Sequence, residues 1–404
     1  MNRLIRVGLI GCGCRGGDIL KDILLPMYEE GVRVLFVCDE YEDRAKKGAD
    51  LVQEVTGESA CATADAQTVL RAKEVEAVII ATAWEAHVDL AVEAMKAGKY
   101  VGLEVGGAYS IEDCWRLVDT YEKTGTELMF LENCCYGDRE LMTLNMVKSG
   151  LFGEVVYCEG GYCHDLREEV TRGKENRHYR LRNYLNRNCD NYPTHALGPI
   201  SRVLDINCGN RFVSLVSVAS ASKGLAAYMR NHDMEKGLEE VTFKQGDVVN
   251  TVIRCAEGQM VTLTLDTTLP RTYSRRFSVR GVKGGYFEDT DSVFEDGKHN
   301  QYEWEPASIW GNAKEYEEEY RHELWRGYMP RGGHGGMDWL LFHAFFESVE
   351  KQEHPPIDVY DAATWMAVTA LSEQSIAKGN IPVDFPDFTK GNWRCKGETY
   401  TKIK

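Results

Sequence analysis

The sequence predicts an α/β chain with two domains. The first is an N-terminal doubly wound parallel sheet, and the second is a C-terminal α+β domain with a largely antiparallel, open-faced sheet. Early in the 404-residue chain, short apolar runs alternate with helix-compatible segments, as they do in βαβ units. The first of these runs, residues 4–10, leads directly into a glycine-rich turn. From Glu154 onward, strand-like runs follow one another with few helices between them. The predicted domain boundary separates residues 1–135 from 136–404. Within the second domain, the segment from about residue 356 to 404 is a candidate for packing against the first domain.

The glycine-rich turn has the form G-x-G-x-x-G, which here reads Gly11, Cys12, Gly13, Cys14, Arg15 and Gly16. The first glycine permits a tight turn, the second lets the backbone approach a pyrophosphate, and the third allows close packing of helix on strand. A helix-compatible segment follows at 17–30, and the next apolar run ends at Asp39. A carboxylate there accepts hydrogen bonds from ribose hydroxyls and repels a 2′-phosphate. The spacing therefore predicts a Rossmann domain that binds NAD, and the alternative is a glycine turn in another kind of α/β protein.

Three further apolar runs, at 75–81, 99–104 and 127–131, predict additional parallel strands. Ligands of such sheets bind beyond the carboxyl ends of the strands. The residues that end or follow these runs are therefore expected to lie along the cofactor, and they are Thr82, Trp84, His87, Glu104 and Asn133. For His87, capping of its own helix is the alternative.

The second domain is predicted from strand-like runs at 155–162, 212–217, 248–255, 260–266 and 275–281. A charged stretch at 167–191 is expected to form a covering loop or helix, and 289–331 is expected to be irregular. Helices are predicted at 337–350 and 360–377. Trp304, Trp310 and Trp325 are expected to pack in the interior, with stacking on a sugar as the alternative.

Composition excludes several classes of partner. The net charge is −16, and no basic run is present, which argues against a nucleic acid or an anionic membrane surface. No run reaches transmembrane length, and the residues before the first strand are too few for a signal peptide. Thirteen scattered cysteines indicate reduced thiols in a cytoplasmic protein. No set of residues has the spacing of a zinc or di-metal site, so no metal is expected.

Two pairs of tyrosine and histidine are candidates for proton transfer. Tyr162 and His164 are two residues apart in a predicted strand and would point to the same face. Tyr192 and His195 are three apart and would share a helix face if Pro193 opens a helix. Such groups beside a nicotinamide are suited to moving the proton of an alcohol that is oxidised by hydride loss. The alternative is that these histidines, and His334 in its Gly-Gly-His-Gly-Gly run, serve only packing or turn formation.

Several motifs together resemble the Gfo/Idh/MocA oxidoreductase superfamily over almost the whole chain. They are the opening glycine turn, the segments 82–87 and 97–101, and the sheet domain. Most members of that superfamily carry Glu-Lys-Pro where this chain has Glu104-Val105-Gly106, and so the usual lysine is missing. Longer motifs look like glycoside hydrolase family 109, namely residues 132–136, 144–146, 161–166, 192–199 and 386–389.

The resemblance to family 109 implies an NAD-dependent glycosidase, of which α-N-acetylgalactosaminidases are the known type. In the mechanism it implies, the sugar is oxidised at C3, the aglycone is eliminated across C1–C2, water adds, and the ketone is reduced again. This route differs from the two-carboxylate route of most glycosidases. By match to the family, the active site would contain Glu132, Tyr162, His164, Tyr192 and His195, and Arg180 would bind the glycoside substrate. Tyr162 or Tyr192 is expected to deprotonate C2, and His195 is expected to serve the C3 hydroxyl. His334 is also assigned to substrate binding.

Two alternatives to the glycosidase remain. One is a plain NAD-dependent sugar or inositol dehydrogenase with His195 as its base, against which the missing lysine argues. The other is a catalytically inactive NAD-binding sugar sensor, against which the density of histidine and tyrosine argues. A homo-oligomer is expected, because open-faced sheets in this superfamily commonly bury their free face against another subunit.

Overall fold

A computed structural model describes residues 3–232, 241–302 and 306–394 of the chain, so that Trp304 lies outside the described residues. The described residues divide into two compact units. The first unit contains 3–136 and 327–364, and the second contains 137–326 and 365–394. The segment 327–364 thus belongs to the same unit as the N-terminal sheet.

The regular elements are as follows in chain order. The strands are β1 (Ile5–Ile10), β2 (Val32–Cys38), β3 (Cys61–Thr63), β4 (Ala77–Ile80), β5 (Tyr100–Leu103), β6 (Leu128–Phe130), β7 (Val155–Cys163), β8 (Phe212–Ala219), β9 (Val248–Cys255), β10 (Met260–Asp266), β11 (Ser278–Gly281), β12 (Gly284–Phe287), β13 (Ser292–Glu295) and β14 (Val383–Asp384). The helices are α1 (Cys14–Ile19), α2 (Glu42–Thr56), α3 (Ala66–Arg71), α4 (Trp84–Lys96), α5 (Ile111–Thr124), α6 (Asp138–Lys148), α7 (Arg167–Thr171), α8 (Arg180–Asn186), α9 (Thr194–Val203), α10 (Gly224–Asn231), α11 (Glu317–Tyr320), α12 (Met337–Lys351) and α13 (Val359–Ala377).

The first unit is built on a six-stranded parallel sheet with the order β3-β2-β1-β4-β5-β6. β4, β5 and β6 are buried at every position, as their continuous apolar runs require. β1 lies between β2 and β4, so the direction of strand order reverses at the glycine turn. The predicted doubly wound sheet is confirmed, and the segments that follow the strands share its carboxyl edge.

The first crossover helix is less regular than the sequence predicted. It begins at Cys14, continues as a π-helical turn over Leu20–Leu24, and ends in a 3-10 turn over Pro26–Glu30. The Leu25 N–H group donates to the Leu20 carbonyl oxygen, which is the i→i+5 pairing of a π turn. α12 also belongs to this unit. A side chain at Gly102 of β5 would come within 3.1 Å of the Phe345 ring, so Gly102 permits close packing of that helix.

The second unit is built on an eight-stranded sheet with the order β13-β12-β11-β7-β10-β9-β8-β14. β7 and β10 pair in parallel, and the remaining neighbours are antiparallel. The prediction of a largely antiparallel sheet is confirmed. The prediction that 289–331 is irregular was incomplete, because this stretch contains β13 and the short α11.

The charged stretch at 167–191 contains α7 and α8. α9 packs against β7, where a side chain at Gly160 would come within 2.6 Å of the Ala196 side chain. The absence of a side chain at Gly160 therefore lets the helix lie close to the strand. Every cysteine in the described part of the chain is a free thiol. None of the helices within the described ranges combines the length and the apolar character needed to cross a membrane.

Candidate functional site

The glycine turn of the first unit has the geometry of a dinucleotide-binding loop. Gly11 has φ +93°, and a side chain there would lie 2.6 Å from the Ala81 carbonyl. A side chain at Gly16 would lie 1.9 Å from the Gly11 oxygen, so both positions require glycine. Gly13 differs, because the nearest atom to a side chain there would be a guanidinium nitrogen of Arg44 at 3.4 Å. Gly13 is also the N-cap of α1 and carries no side-chain cap, which leaves room and backbone donors for a pyrophosphate.

Asp39 connects the glycine turn to the end of β2. Its side chain is buried, one carboxylate oxygen accepts a hydrogen bond from the Cys12 N–H group at 2.8 Å, and the other accepts from Tyr41 N–H at 3.0 Å. A carboxylate has about four lone-pair positions, so further acceptor capacity remains for ribose hydroxyls. Burial and the Asp39 charge raise the pKa of Cys12 to about 11, which keeps that thiol protonated. The position therefore fits an NAD ribose while it also holds the turn in place.

The segment after β4 is held by its own histidine. The His87 ring nitrogen Nε2 lies 3.0 Å from the Thr82 carbonyl oxygen, and the ring is fully buried. Burial lowers the pKa of His87 to about 4, so the ring is neutral at physiological pH and donates this hydrogen bond. Trp84 is buried at the start of α4, and a side chain at Gly106 would come within 2.7 Å of it. His87 thus fixes the turn that presents Thr82 and Trp84.

Four of the predicted site residues of the first unit meet around an aspartate that the sequence did not single out. Asp338, in the first turn of α12, is 1% exposed. Its Oδ2 accepts from an Arg15 nitrogen at 2.7 Å and lies 2.9 Å from His334 Nδ1. Its Oδ1 accepts from Asn133 Nδ2 at 2.7 Å, and Arg15 Nε donates in turn to Glu104 at 2.8 Å. The four predicted residues form one connected polar cluster.

Electrostatics in this cluster favour the ionised aspartate. Burial opposes ionisation, but the hydrogen bond from His334 and the Arg15 charge hold the pKa of Asp338 well below its usual range. The same hydrogen bond raises the pKa of His334. The only advance signal of Asp338 in the sequence is its position four residues after His334, at the start of a predicted helix.

In the second unit, the two predicted pairs form one aromatic cluster. The Tyr162 hydroxyl lies 3.1 Å from His164 Nδ1 at the end of β7. The Tyr162 and Tyr192 rings are 4.3 Å apart, and the His195 ring lies 4.8 Å from Tyr192. α9 begins at Thr194 with Pro193 as its N-cap, which brings Tyr192 and His195 to the same end of the helix. Pairs that are local in sequence therefore become a single set in space.

Arg180 completes this cluster with a positive charge. The residue is 8% exposed, and its guanidinium carbon lies 5.1 Å from the Tyr192 ring centre and 5.9 Å from that of Tyr162. Arg180 Nε lies 2.8 Å from a carboxylate oxygen of Glu169 in α7. Burial and the Arg180 charge lower the pKa of His164, so that ring is neutral near pH 7. A neutral imidazole beside a phenol can accept the phenolic proton.

Two residues of the cluster were missed by the sequence analysis. The Tyr273 ring lies 5.1 Å from His164 and is half exposed, so it forms an accessible edge of the cluster. Glu169, the partner of Arg180, lies in the charged stretch that was predicted only as a covering segment. Neither residue belongs to a motif, and both are brought in by loops or short helices. Of the proposed catalytic residues, Glu132 lies in the first unit, where it is fully buried and accepts a hydrogen bond from Cys134 N–H at 3.1 Å.

The two described tryptophans of the segment 289–331 differ in how deeply they are buried. Trp325 is buried at 5% exposure, as packing requires. Trp310 is 58% exposed, and so the packing prediction is wrong for that residue. It borders an open cavity of about 640 Å³ on the outer strands of the second sheet.

Comparisons with known proteins match both parts of the chain. Residues 5–131 match the oxidoreductase family with an NAD-binding Rossmann fold, and residues 136–395 match the C-terminal domain of glycosyl hydrolase 109. The chain is 37% identical to an α-N-acetylgalactosaminidase of Tannerella forsythia, over 96% of this chain and 87% of that protein. It is 36% identical to a glycosyl hydrolase family 109 protein of Parabacteroides distasonis, over 96% and 88% of the two chains.

A solved structure shows the same fold at low identity. Levoglucosan dehydrogenase, in complex with NADH and levoglucosan, superposes with a TM-score of 0.71 at 17% identity, over 96% of this chain and 100% of that one. At this identity the likeness concerns the fold alone. The two family matches and the identity to curated relatives over nearly the whole chain go further. The chain therefore belongs to glycosyl hydrolase family 109, a family of NAD-dependent glycosidases.

Proposed function

We propose that this chain hydrolyses glycosides, including N-acetylgalactosaminides, by transient oxidation of the sugar at C3 and elimination of the aglycone across C1–C2. Water then adds to the unsaturated sugar, and the C3 ketone is reduced again. The observation that carries the proposal is the aromatic cluster of the second unit. Its members lie in contact with one another beside Arg180, and they are Tyr162, His164, Tyr192 and His195. The name of the Tannerella forsythia relative suggests the sugar.

Bound NAD would supply the acceptor and donor of a hydride at sugar C3, so that the complete cycle involves no net redox change. The residues proposed to hold it are those of the glycine turn from Gly11 to Gly16, Asp39, the segment from Thr82 to His87, Glu104 and Asn133. The required fit is supported by the open space at Gly13 and by the remaining acceptor capacity of Asp39. Arg15 would contribute through its backbone, because its side chain is bonded to Glu104 and Asp338.

The proton transfers are assigned to the aromatic cluster. Tyr162 is the proposed base for the C2 proton, and Tyr192 is its alternative. The Arg180 guanidinium lies within 6 Å of both rings and stabilises negative charge on either phenolic oxygen. His164 is neutral and 3.1 Å from the Tyr162 oxygen, so it can take up the phenolic proton. His195 is assigned to the C3 hydroxyl, and Glu132 remains a proposed active-site acid.

The experiment measures the cleavage of a panel of aryl α- and β-glycosides in D2O, with and without added NAD. We expect cleavage without added NAD, and deuterium at C2 of the released sugar, because the C2 proton must leave before the aglycone does. A 3-deoxy glycoside has no oxidisable C3 hydroxyl and should not be cleaved. Sugar released without C2 exchange, or cleavage of the 3-deoxy substrate, would refute the redox route.

A matched pair of variants assigns the base. Tyr162→Phe should abolish C2 exchange, whereas Tyr157→Phe should leave it intact. Tyr157 lies on the same strand, five positions away, and therefore faces the opposite side of the sheet. An accumulating 3-keto sugar with an equal amount of NADH would indicate a plain dehydrogenase. Sugar binding without turnover would indicate a sensor.

A further inference from the structure

Asp338 is a buried carboxylate of the first unit with several hydrogen-bond partners, and the proposed chemistry does not use it. It makes two hydrogen bonds with the Arg15 guanidinium, at 2.7 and 3.2 Å. It also accepts from the Asn133 amide at 2.7 Å and bonds with the His334 ring at 2.9 Å. A carboxylate that is 1% exposed and has this many partners is held in one orientation.

The partners of Asp338 come from separate loops at the carboxyl edge of the parallel sheet. Arg15 belongs to the glycine turn after β1, and Asn133 follows β6. Arg15 also bonds with Glu104, which follows β5. Asp338 thus connects, directly or through Arg15, the loops after three strands. In a doubly wound sheet this edge is where a dinucleotide binds.

The glycine run before α12 is held by the same carboxylate. His334 has φ +51°, a left-handed conformation that is unfavourable for a residue with a side chain. Its neighbours Gly335 and Gly336 also have positive φ angles. The bond between His334 and Asp338, four residues apart in the chain, offsets the strain and fixes the run against the Arg15 side chain.

We propose that Asp338 is a positioning residue of the NAD pocket, which holds Arg15, Asn133 and His334 in the arrangement that receives the dinucleotide. The inference rests on the proposed function only in its assignment of Arg15, Glu104 and Asn133 to that pocket. Asp338 acts through its partners, since its oxygens are occupied by Arg15, Asn133 and His334. Without the Asp338 carboxylate, the guanidinium would lose two of its bonds and the loop after β6 would lose its anchor to α12.

The test is titration of NAD into protein that has been freed of bound nucleotide. Asp338→Asn should weaken NAD binding by about tenfold or more, because asparagine keeps only one acceptor oxygen, so that one of the two hydrogen bonds to Arg15 is lost together with the negative charge that faces the guanidinium. The matched control is Asp358→Asn. Asp358 bonds with His354, also four residues away in the chain and in the same unit, and His354 bonds in turn with Glu127, which precedes β6 at the opposite edge of the sheet. The control should lose comparable stability and keep the wild-type affinity for NAD.

The outcomes separate three explanations. If Asp338→Asn binds NAD as the control does, Asp338 is merely structural and the proposal is overturned. If Asp39→Ala also leaves NAD affinity unchanged, the assignment of the pocket itself is wrong. Should Asp338→Asn not fold, Asp338→Glu decides, because it keeps the charge but displaces the oxygens by one methylene. Wild-type NAD affinity in Asp338→Glu would overturn the proposal, and weakened affinity in a folded protein would support it.

Discussion

Replacement of Asp39 by alanine tests the cofactor site most directly. The carboxylate accepts backbone hydrogen bonds from Cys12 in the glycine turn and from Tyr41 before α2. Alanine at this position therefore removes the proposed acceptor of the ribose hydroxyls and, at the same time, the link that fixes the glycine turn to β2. Both losses should weaken NAD binding. The first removes a direct contact with the ribose, and the second disturbs the backbone donors of the turn.

The size of the effect follows from the bonds that are lost. A hydrogen bond to a charged group contributes about 1.5–3 kcal/mol. The loss of the ribose contact alone should weaken NAD binding by about tenfold to a hundredfold, since about 1.4 kcal/mol corresponds to a factor of ten. The two backbone donors lose their partner in the free protein as well, and this should lower the free energy of unfolding by about 1–3 kcal/mol. Asp39→Asn keeps one acceptor oxygen and should lie between alanine and the wild type.

Isothermal titration of nucleotide-free protein with NAD and NADP measures these affinities, and urea unfolding measures the stability. The expected order of NAD affinity is wild type, then Asp39→Asn, then Asp39→Ala. NADP should bind the wild type weakly, because its 2′-phosphate would face a buried carboxylate. An unchanged NAD affinity in Asp39→Ala, or tighter binding of NADP than of NAD by the wild type, would refute the role of Asp39.

Three further predictions concern charged groups away from the glycine turn. Burial opposes the charge of His354, but its bonds to Asp358 and Glu127 raise its pKa from 6.5 to about 10. These bonds should therefore stabilise the fold by at most about 4–5 kcal/mol below about pH 6.5, and this contribution should disappear as the pH rises through about 10. Urea unfolding of His354→Gln against pH should show that loss, and a pH-independent difference from the wild type would contradict it. Burial raises the pKa of Asp190 from 3.8 to about 7, so ionisation should cost the wild type stability progressively between these pH values. Asp190→Asn should then gain in melting temperature relative to the wild type from about pH 5 to pH 8, and equal melting curves across this range would exclude the proposed titration. Glu169→Gln removes the carboxylate beside Arg180 and should raise KM for the glycoside several-fold with a smaller change in kcat, and an unchanged KM would show that Glu169 does not position Arg180.

Five strands of the first sheet were predictable because they are largely apolar runs, as the strands of a buried parallel sheet are. The edge strand β3 was not predicted, because it has only three residues and the first two are exposed. The outer strands β12 and β13 of the second sheet could not be predicted from the sequence. β12 begins with two glycines, and β13 is only four residues long, so neither gives a periodic signal. The run at 275–281 was predicted three residues too long at its start. Arg276 has φ +51°, which is incompatible with a regular strand, and the strand therefore begins at Ser278.

The site was predictable where its residues are close in sequence. Tyr162 with His164, and Tyr192 with His195, are spaced by the period of one strand or one helical turn, and their side chains lie near one another in the structure. The bonds of Asp338 to Arg15 and Asn133 span 323 and 205 positions. No local periodicity reports such contacts, and they arise only when the chain returns to the first unit at Gly327.

Asp39 and Asp338 both fix parts of the glycine turn in the first unit, one through the backbone and the other through a side chain. A cycle without net redox change has no need to exchange its nucleotide, and so its binding site gains from loops that are already fixed before the nucleotide arrives. Asp39 fixes the glycine turn through a backbone donor, and Asp338 fixes the Arg15 side chain of that same turn. Neither arrangement depends on the sugar. If NAD is a resident catalyst, weakened variants at either position should therefore lose activity on dilution and regain it with added NAD, whereas variants of Tyr162 should not. Failure of added NAD to restore a folded, weakly binding variant would mean that these carboxylates act on catalysis itself.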